Sequence, residues 1–152
     1  MQSLAIRQEL PKATPAAFQD VNRRLHRYLI EKASEPFEYG VNDCATFPAD
    51  WCIENGHSDP MRRWRGKYDS EESARDLICG AGGLSMLWML GTMDAALPEP
   101  DMLRIGDVGV VVMMTASGPD EVGAIYLGKR WAVLCESGLL CASVKPIMAW
   151  RV

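Results

Sequence analysis

The sequence predicts an α+β domain, and three observations lead there. Apolar residues recur at helical spacing in the N-terminal part, as at Phe18, Val21, Leu25, Tyr28 and Leu29. Past Ile105 the pattern changes to continuous β-branched runs such as Val108-Gly109-Val110-Val111-Val112. Short turns rich in Gly and Pro separate those runs. Helices therefore come first and an antiparallel meander second, which is α+β order rather than alternating βαβ units. With 152 residues, 48% of them hydrophobic and 24% charged, the chain can build one core of its own.

Residues 1–16 carry Pro11 and Pro15 in a stretch of mixed polarity and read as an N-terminal arm, either mobile or laid against a partner. Residues 17–152 read as a single domain. Its first helix is predicted over 17–33, with Arg and Lys opposite the apolar face. A turn with Pro36 follows over 34–40. The second helix is predicted from Cys44 to Asn55, stopped by Gly56. An irregular loop fills 57–70. Ser70-Glu71-Glu72 then opens a helix to Cys79, with acidic residues at its positive end, and Gly80-Ala81-Gly82-Gly83 breaks it. A further helix runs from Leu84 to Leu90, ahead of Pro98 and Pro100. Met86, Met89 and Met93 join Leu84, Leu87, Trp88 and Leu90 in an apolar stretch that reads first as core; a second apolar face on it would mark a protein interface. Strands are predicted over 108–114, 122–127, 131–135, 139–144 and 147–152, with a turn at Ser117-Gly118-Pro119-Asp120.

Charge and composition narrow the function classes. A net charge of −4 argues against nucleic acid or an anionic membrane surface as partner. No apolar run reaches the ~18 residues of a membrane span, so membrane insertion is not expected. The N-terminus lacks the apolar region of a signal peptide, which predicts folding in the cytoplasm. The five cysteines are an odd number and that compartment disfavours disulfides. With no C-x-x-C pair and no His/Cys cluster at zinc spacing, neither a metal nor another cofactor is expected.

Two stretches carry candidate chemistry. In Phe37-Glu38-Tyr39-Gly40-Val41-Asn42-Asp43-Cys44, an Asn-Asp pair precedes an apolar helical run, which places Cys44 in the first turn of a helix. Free N–H groups and the positive end of the dipole favour a thiolate there, so Cys44 is a candidate nucleophile. The plain alternative is a small buried residue at a helix start. Pro48 complicates the geometry: it has no N–H for the Cys44 carbonyl and crowds it, so the first turn should bend or start later. The second stretch, Trp64-Arg65-Gly66-Lys67-Tyr68, combines aromatic and basic groups. Trp64, Arg65, Lys67 and Tyr68 are candidate partner-binding residues, since such side chains dominate interface hot spots. The alternative packs Trp64 and Tyr68 onto the core and pairs Arg65 with a nearby carboxylate.

The order of Asp43-Cys44, Gly106-Asp107-Val108 and Val122-Gly123-Ala124-Ile125-Tyr126-Leu127-Gly128 resembles the NlpC/P60 superfamily of papain-like cysteine peptidases. Ala49-Asp50-Trp51, Asp59-Pro60, Arg65-Gly66-Lys67-Tyr68-Asp69 and the terminal Ala149-Trp150-Arg151-Val152 narrow it to an NlpC/P60-like group of unknown function in phage and prophage tail modules. The resemblance implies a papain-like fold with N-terminal helices packed on an antiparallel meander. It also implies a catalytic His opening the strand that here begins Glu121-Val122-Gly123, so Glu121 stands at the expected base position. A thiol with a pKa near ~8.5 and a carboxylate near ~4.3 are badly matched for proton transfer. The Glu121 charge should raise the thiol pKa rather than lower it. Only two histidines exist, His26 in the first helix and His57 beyond the second, the latter roughly 18–20 Å from Cys44 along a helix. The resemblance therefore implies a structural component of a phage tail tip or baseplate with little or no hydrolysis. It would be assembled in the host cytoplasm into the virion beside hub and central-fibre proteins. The alternative is a cysteine peptidase or amidase acting on peptidoglycan during DNA entry, with Cys44 as nucleophile and an unidentified base.

Overall fold

Helical spacing and β-branched runs fold as their order suggests. The computed structural model describes residues 15–152, with side chains described from residue 19. Among them, four helices precede five strands: α1 (Pro15–Ser34), α2 (Thr46–Glu54), α3 (Glu71–Ala81), α4 (Leu84–Asp94), β1 (Val108–Thr115), β2 (Gly118–Tyr126), β3 (Trp131–Cys135), β4 (Gly138–Ala142) and β5 (Met148–Trp150). The expected arm falls largely on residues 1–14, outside the described residues, and its last two positions belong to α1.

The strands form one antiparallel sheet in the order β4-β3-β2-β1-β5. The first four strands are the expected meander. The last does not extend it: β5 returns to the opposite edge and pairs Val108, Gly109 and Val110 with Trp150, Ala149 and Met148. Alternate residues sort to two faces, as the period of a strand requires. Val108, Val110, Ile125, Ala132, Leu134 and Trp150 join the helix-covered core around Phe47, Trp51, Leu87 and Trp88. Val111, Val122, Ala124, Trp131 and Val133 form a second buried cluster.

Local chemistry fixes the helix ends. Tyr28 donates to the Phe47 carbonyl and stacks on the Phe47 ring at 5.7 Å, which seats α1 on α2. At α3, Ser70 and Ser73 form a reciprocal capping box, and Gly82 closes the helix with a positive φ of 93°. Helix α4 continues to Asp94, beyond the expected Leu90; it buries Leu84, Leu87 and Trp88 but leaves Met86 and Met93 exposed.

At two further boundaries the departure has a plain physical cause. Helix α2 begins at Thr46 rather than Cys44. Pro48 supplies no N–H to the Cys44 carbonyl, so the regular ladder starts later, as its ring predicts. Strand β2 begins at Gly118 rather than Val122, because the β1–β2 turn is only Ala116-Ser117. Pro119 fits within the strand because it lies opposite Met114 in a pair whose backbone groups point away from each other.

The feature that positions the site is a split in the sheet. Strand β2 pairs with β1 along its whole length, from Gly118 opposite Thr115 to Ile125 opposite Val108. With β3 it pairs only at Ile125↔Ala132 and Tyr126↔Trp131. Beyond those pairs β2 and β3 diverge.

Candidate functional site

The turn carrying Cys44 is built around Asp43. That carboxylate is buried, with 2% of the residue exposed. Its Oδ1 accepts the Ala45 and Thr46 N–H groups at 2.9 and 2.8 Å. Its Oδ2 accepts the Gly40 N–H at 2.7 Å and the Tyr68 hydroxyl at 2.6 Å. The Phe47 N–H returns to the Asp43 carbonyl at 3.0 Å. Asp43 thus caps α2 in function, and Cys44 occupies the turn between cap and helix. The sequence offers Asp43 as a helix-start signal and as part of the Asp43-Cys44 motif; its bond to the Tyr68 hydroxyl, 25 residues away, has no local signal.

The turn presses on β2 at Gly123. A Cβ there would collide with the Cys44 carbonyl and sit 2.8 Å from Pro48 Cγ, so the close approach needs glycine. Cys44 retains partial solvent exposure, while its thiol is buried within the protein. Burial pushes its pKa up to about 12, aided by the nearby Asp43 and Asp120 charges and by Cys135; the Gly123 N–H, facing the sulfur, acts in the opposite sense. The helix start therefore does not deliver the thiolate that sequence reasoning associates with it. The expected influence of Glu121 on the thiol is replaced by burial first and by Asp43 and Asp120 second.

Above Cys44 the split in the sheet opens into a groove of about 590 Å³. Its floor is apolar, with Met61, Leu84, Leu87 and Ile78, and Phe37 and Tyr39 stand at one side. The β1–β2 hairpin forms one lip through Pro119, Asp120 and Glu121; Leu134, Cys135 and Glu136 at the end of β3 form another. Such a mostly apolar cleft with a few polar groups is the usual form of a binding site.

Glu121 lines this groove but is already engaged. One carboxylate oxygen accepts the Ser85 N–H at 2.9 Å and the other the Ser85 hydroxyl at 3.1 Å. Both groups belong to Ser85 in the first turn of α4, whose N-cap, Gly83, provides no side-chain cap. Glu121 thus supplies the missing cap from β2, at the positive end of the helix. Neither histidine lines the groove: His26 is exposed on α1 and His57 follows α2.

The aromatic-basic loop is largely held within the fold. Tyr68 is buried against Asp43, and burial together with that carboxylate raises its pKa far above the ordinary phenol value. Arg65 pairs with Asp50 and Asp59, each at 2.5 Å. Trp64 packs half-buried against the core beside Gly91. Of the four candidate partner-binding residues, Lys67 alone is exposed. Among the described residues, no three His, Cys, Asp or Glu side chains gather where they could hold a metal ion. No single described helix is long and apolar enough to cross a membrane.

A family model matches residues 16–152, and its description is a domain of unknown function, DUF6950. The chain belongs to this family. No curated protein and no solved structure matches. The DUF6950 match takes in α1 through β5, so the Asp43 turn, both lips of the groove and the Glu121 cap all lie inside the family domain.

Proposed function

We propose that this DUF6950 domain is a structural component of a phage tail tip or baseplate, built on an NlpC/P60-like, papain-like fold and without peptidase activity. The observation that carries the non-catalytic half of this reading is the Glu121 carboxylate bound to both Ser85 donors at the start of α4. The residue standing where the resembled peptidases place a His is a helix cap here. The raised thiol pKa of Cys44 supports the same half, because a neutral thiol is a poor nucleophile. The tail-tip half rests on the motif resemblance, with hub and central-fibre proteins as the implied neighbours.

The competing peptidase or amidase reading draws on one feature, the groove directly over Cys44. Two measurements separate them. The pH dependence of Cys44 alkylation, with Cys44→Ala subtracting the other thiols, should show no inflection below pH 9. In a phage carrying Cys44→Ser, tail assembly and infectivity should be retained. An alkylation midpoint near neutrality, or assembled particles that lose infectivity, would return the protein to the enzymes.

A further inference from the structure

We infer that the groove takes an extended, basic segment of a partner protein, which adds to the free edge of β2. This inference rests on the groove being a binding site rather than a hydrolytic one.

The backbone argument comes from register. In the β1–β2 ladder, Tyr126 donates to the Asp107 carbonyl and Gly106 to the Tyr126 carbonyl. Even-numbered β2 residues therefore turn their N–H and C=O groups toward β1, and odd-numbered ones turn theirs toward β3. At Ile125 the β3 side is met by Ala132. At Gly123 the N–H faces the Cys44 sulfur. At Glu121 and Pro119, past the point where β3 diverges, no strand among the described residues is paired on that side. The Glu121 N–H and the Glu121 and Pro119 carbonyls thus present a short open sheet edge to the groove, the arrangement that strand addition uses. Leu134, opposite, turns its backbone toward the same gap by the same alternation, from its register with Leu139.

Charge selects the occupant. Five carboxylates line the groove, those of Asp43, Glu71, Asp120, Glu121 and Glu136, against one guanidinium, that of Arg75. Asp43 and Glu121 are held by internal donors, and Arg75 pairs with Glu71 at 3.0 Å. That leaves Asp120 on the β2 lip and Glu136 on the β3 lip, both exposed and each beside the open edge. Glu136 is oriented by the Tyr39 hydroxyl at 2.8 Å. An extended peptide places successive side chains on opposite sides. Alternating Lys and apolar residues would set cations against Asp120 and Glu136 and apolar groups against the half-buried Leu77 and Ile78. An acidic segment would meet the same lips with repulsion.

The test uses the full chain and three synthetic probes: an alternating Lys–Val octapeptide, its Glu–Val counterpart, and the Lys–Val peptide N-methylated on alternate amides. Amide chemical-shift changes are followed in the labelled protein, and peptide integrity is read by mass spectrometry. The expected result is Lys–Val binding at least ~10-fold tighter than Glu–Val, from opposed against matched charge on two lips. Shifts should centre on residues 119–123 and 134–136, the N-methylated probe should bind several-fold more weakly, and an Asp120→Asn/Glu136→Gln double variant should lose the preference. Equal affinity for the two peptides, or shifts confined to the outer edges of β4 and β5, would overturn the inference. A Lys–Val peptide that binds in the groove and is cleaved would uphold the occupant and overturn the non-hydrolytic reading instead.

Discussion

Replacing Glu121 by Ala removes the side chain that caps α4, and its cost can be worked from the geometry. Two hydrogen bonds are lost, to the Ser85 N–H at 2.9 Å and to the Ser85 hydroxyl at 3.1 Å. Hydrogen bonds to a charged group contribute about 1.5–3 kcal/mol each, and a carboxylate at a helix N-terminus adds about 0.3–1 kcal/mol. Glu121 is half-buried, and water can replace part of what is lost, so about 2–3 kcal/mol in total is expected. With a urea dependence of about 2 kcal/mol per molar for a domain of this size, the unfolding midpoint should fall by about 1–1.5 M. Glu121→Gln keeps an acceptor but loses the charge, and should cost about 1 kcal/mol. A double-mutant cycle with Ser85→Ala should show coupling, because the hydroxyl bond disappears in either single variant. Midpoints for Glu121→Ala and Glu121→Gln within about 0.2 M of the parent would refute the reasoning. The carboxylate would then be free in the groove, and the argument against it as a catalytic group would lapse.

Three further outcomes follow from buried polar groups. Tyr68→Phe deletes one of the four donors to the buried Asp43 carboxylate and should cost about 1.5–3 kcal/mol by chemical denaturation. Arg151→Ala breaks the 2.7 Å pair with Asp107, whose side chain is 2% exposed, and should cost about 3 kcal/mol by thermal unfolding, since a lone buried charge remains. The fold should also be alkali-labile. Burial raises the pKa of Tyr28, Tyr68 and Cys52 far above their ordinary values of 10.0, 10.0 and 9.0. Above pH 10 the unfolded chain releases these three protons while the folded chain keeps them, so stability falls as pH rises. The slope is about 4 kcal/mol per pH unit at about 1.36 kcal/mol for each group, enough to unfold a domain of ordinary stability between pH 11 and 12. A circular-dichroism titration flat to pH 12 would contradict the burial of these groups.

The fold class was legible because it rests on periodicity, which is a local signal. The change from helical spacing before Pro98 to β-branched runs after Ile105 marks the two halves. Pro48 even announced that α2 would start late. What escaped was long-range. Nothing local in Met148–Trp150 says that this strand crosses to the β1 edge rather than continuing the meander. Glu121 could be placed at the expected His position, but its partner Ser85 lies 36 residues away and carries no motif. The Trp64–Tyr68 loop supports two readings, a surface that grips a partner and a loop packed on its own core, since an aromatic-basic stretch looks the same whether its Asp partners, Asp50 and Asp59, belong to another chain or to this one; the structure takes the second.

The arrangement that builds the Cys44 turn is also what keeps its thiol neutral. An ionised carboxylate offers about four acceptor positions, and Asp43 uses them on Gly40, Ala45, Thr46 and Tyr68. That holds the turn rigid, yet it fixes a negative charge next to the sulfur, with Asp120 adding a second. Against them stands one N–H, from Gly123. A cation bound at the Asp120 lip would change this balance. At roughly 8 Å and an effective dielectric near 20, a unit positive charge is worth about 2 kcal/mol to the thiolate, or between one and two pKa units. The Lys–Val octapeptide should therefore lower the apparent alkylation pKa of Cys44 by about that amount, and by linkage an ionised Cys44 should bind the peptide more tightly in the same ratio. A saturating peptide that slows alkylation without moving its pH midpoint would place the cation away from the Asp120 lip, and the groove would then bind through shape and backbone alone.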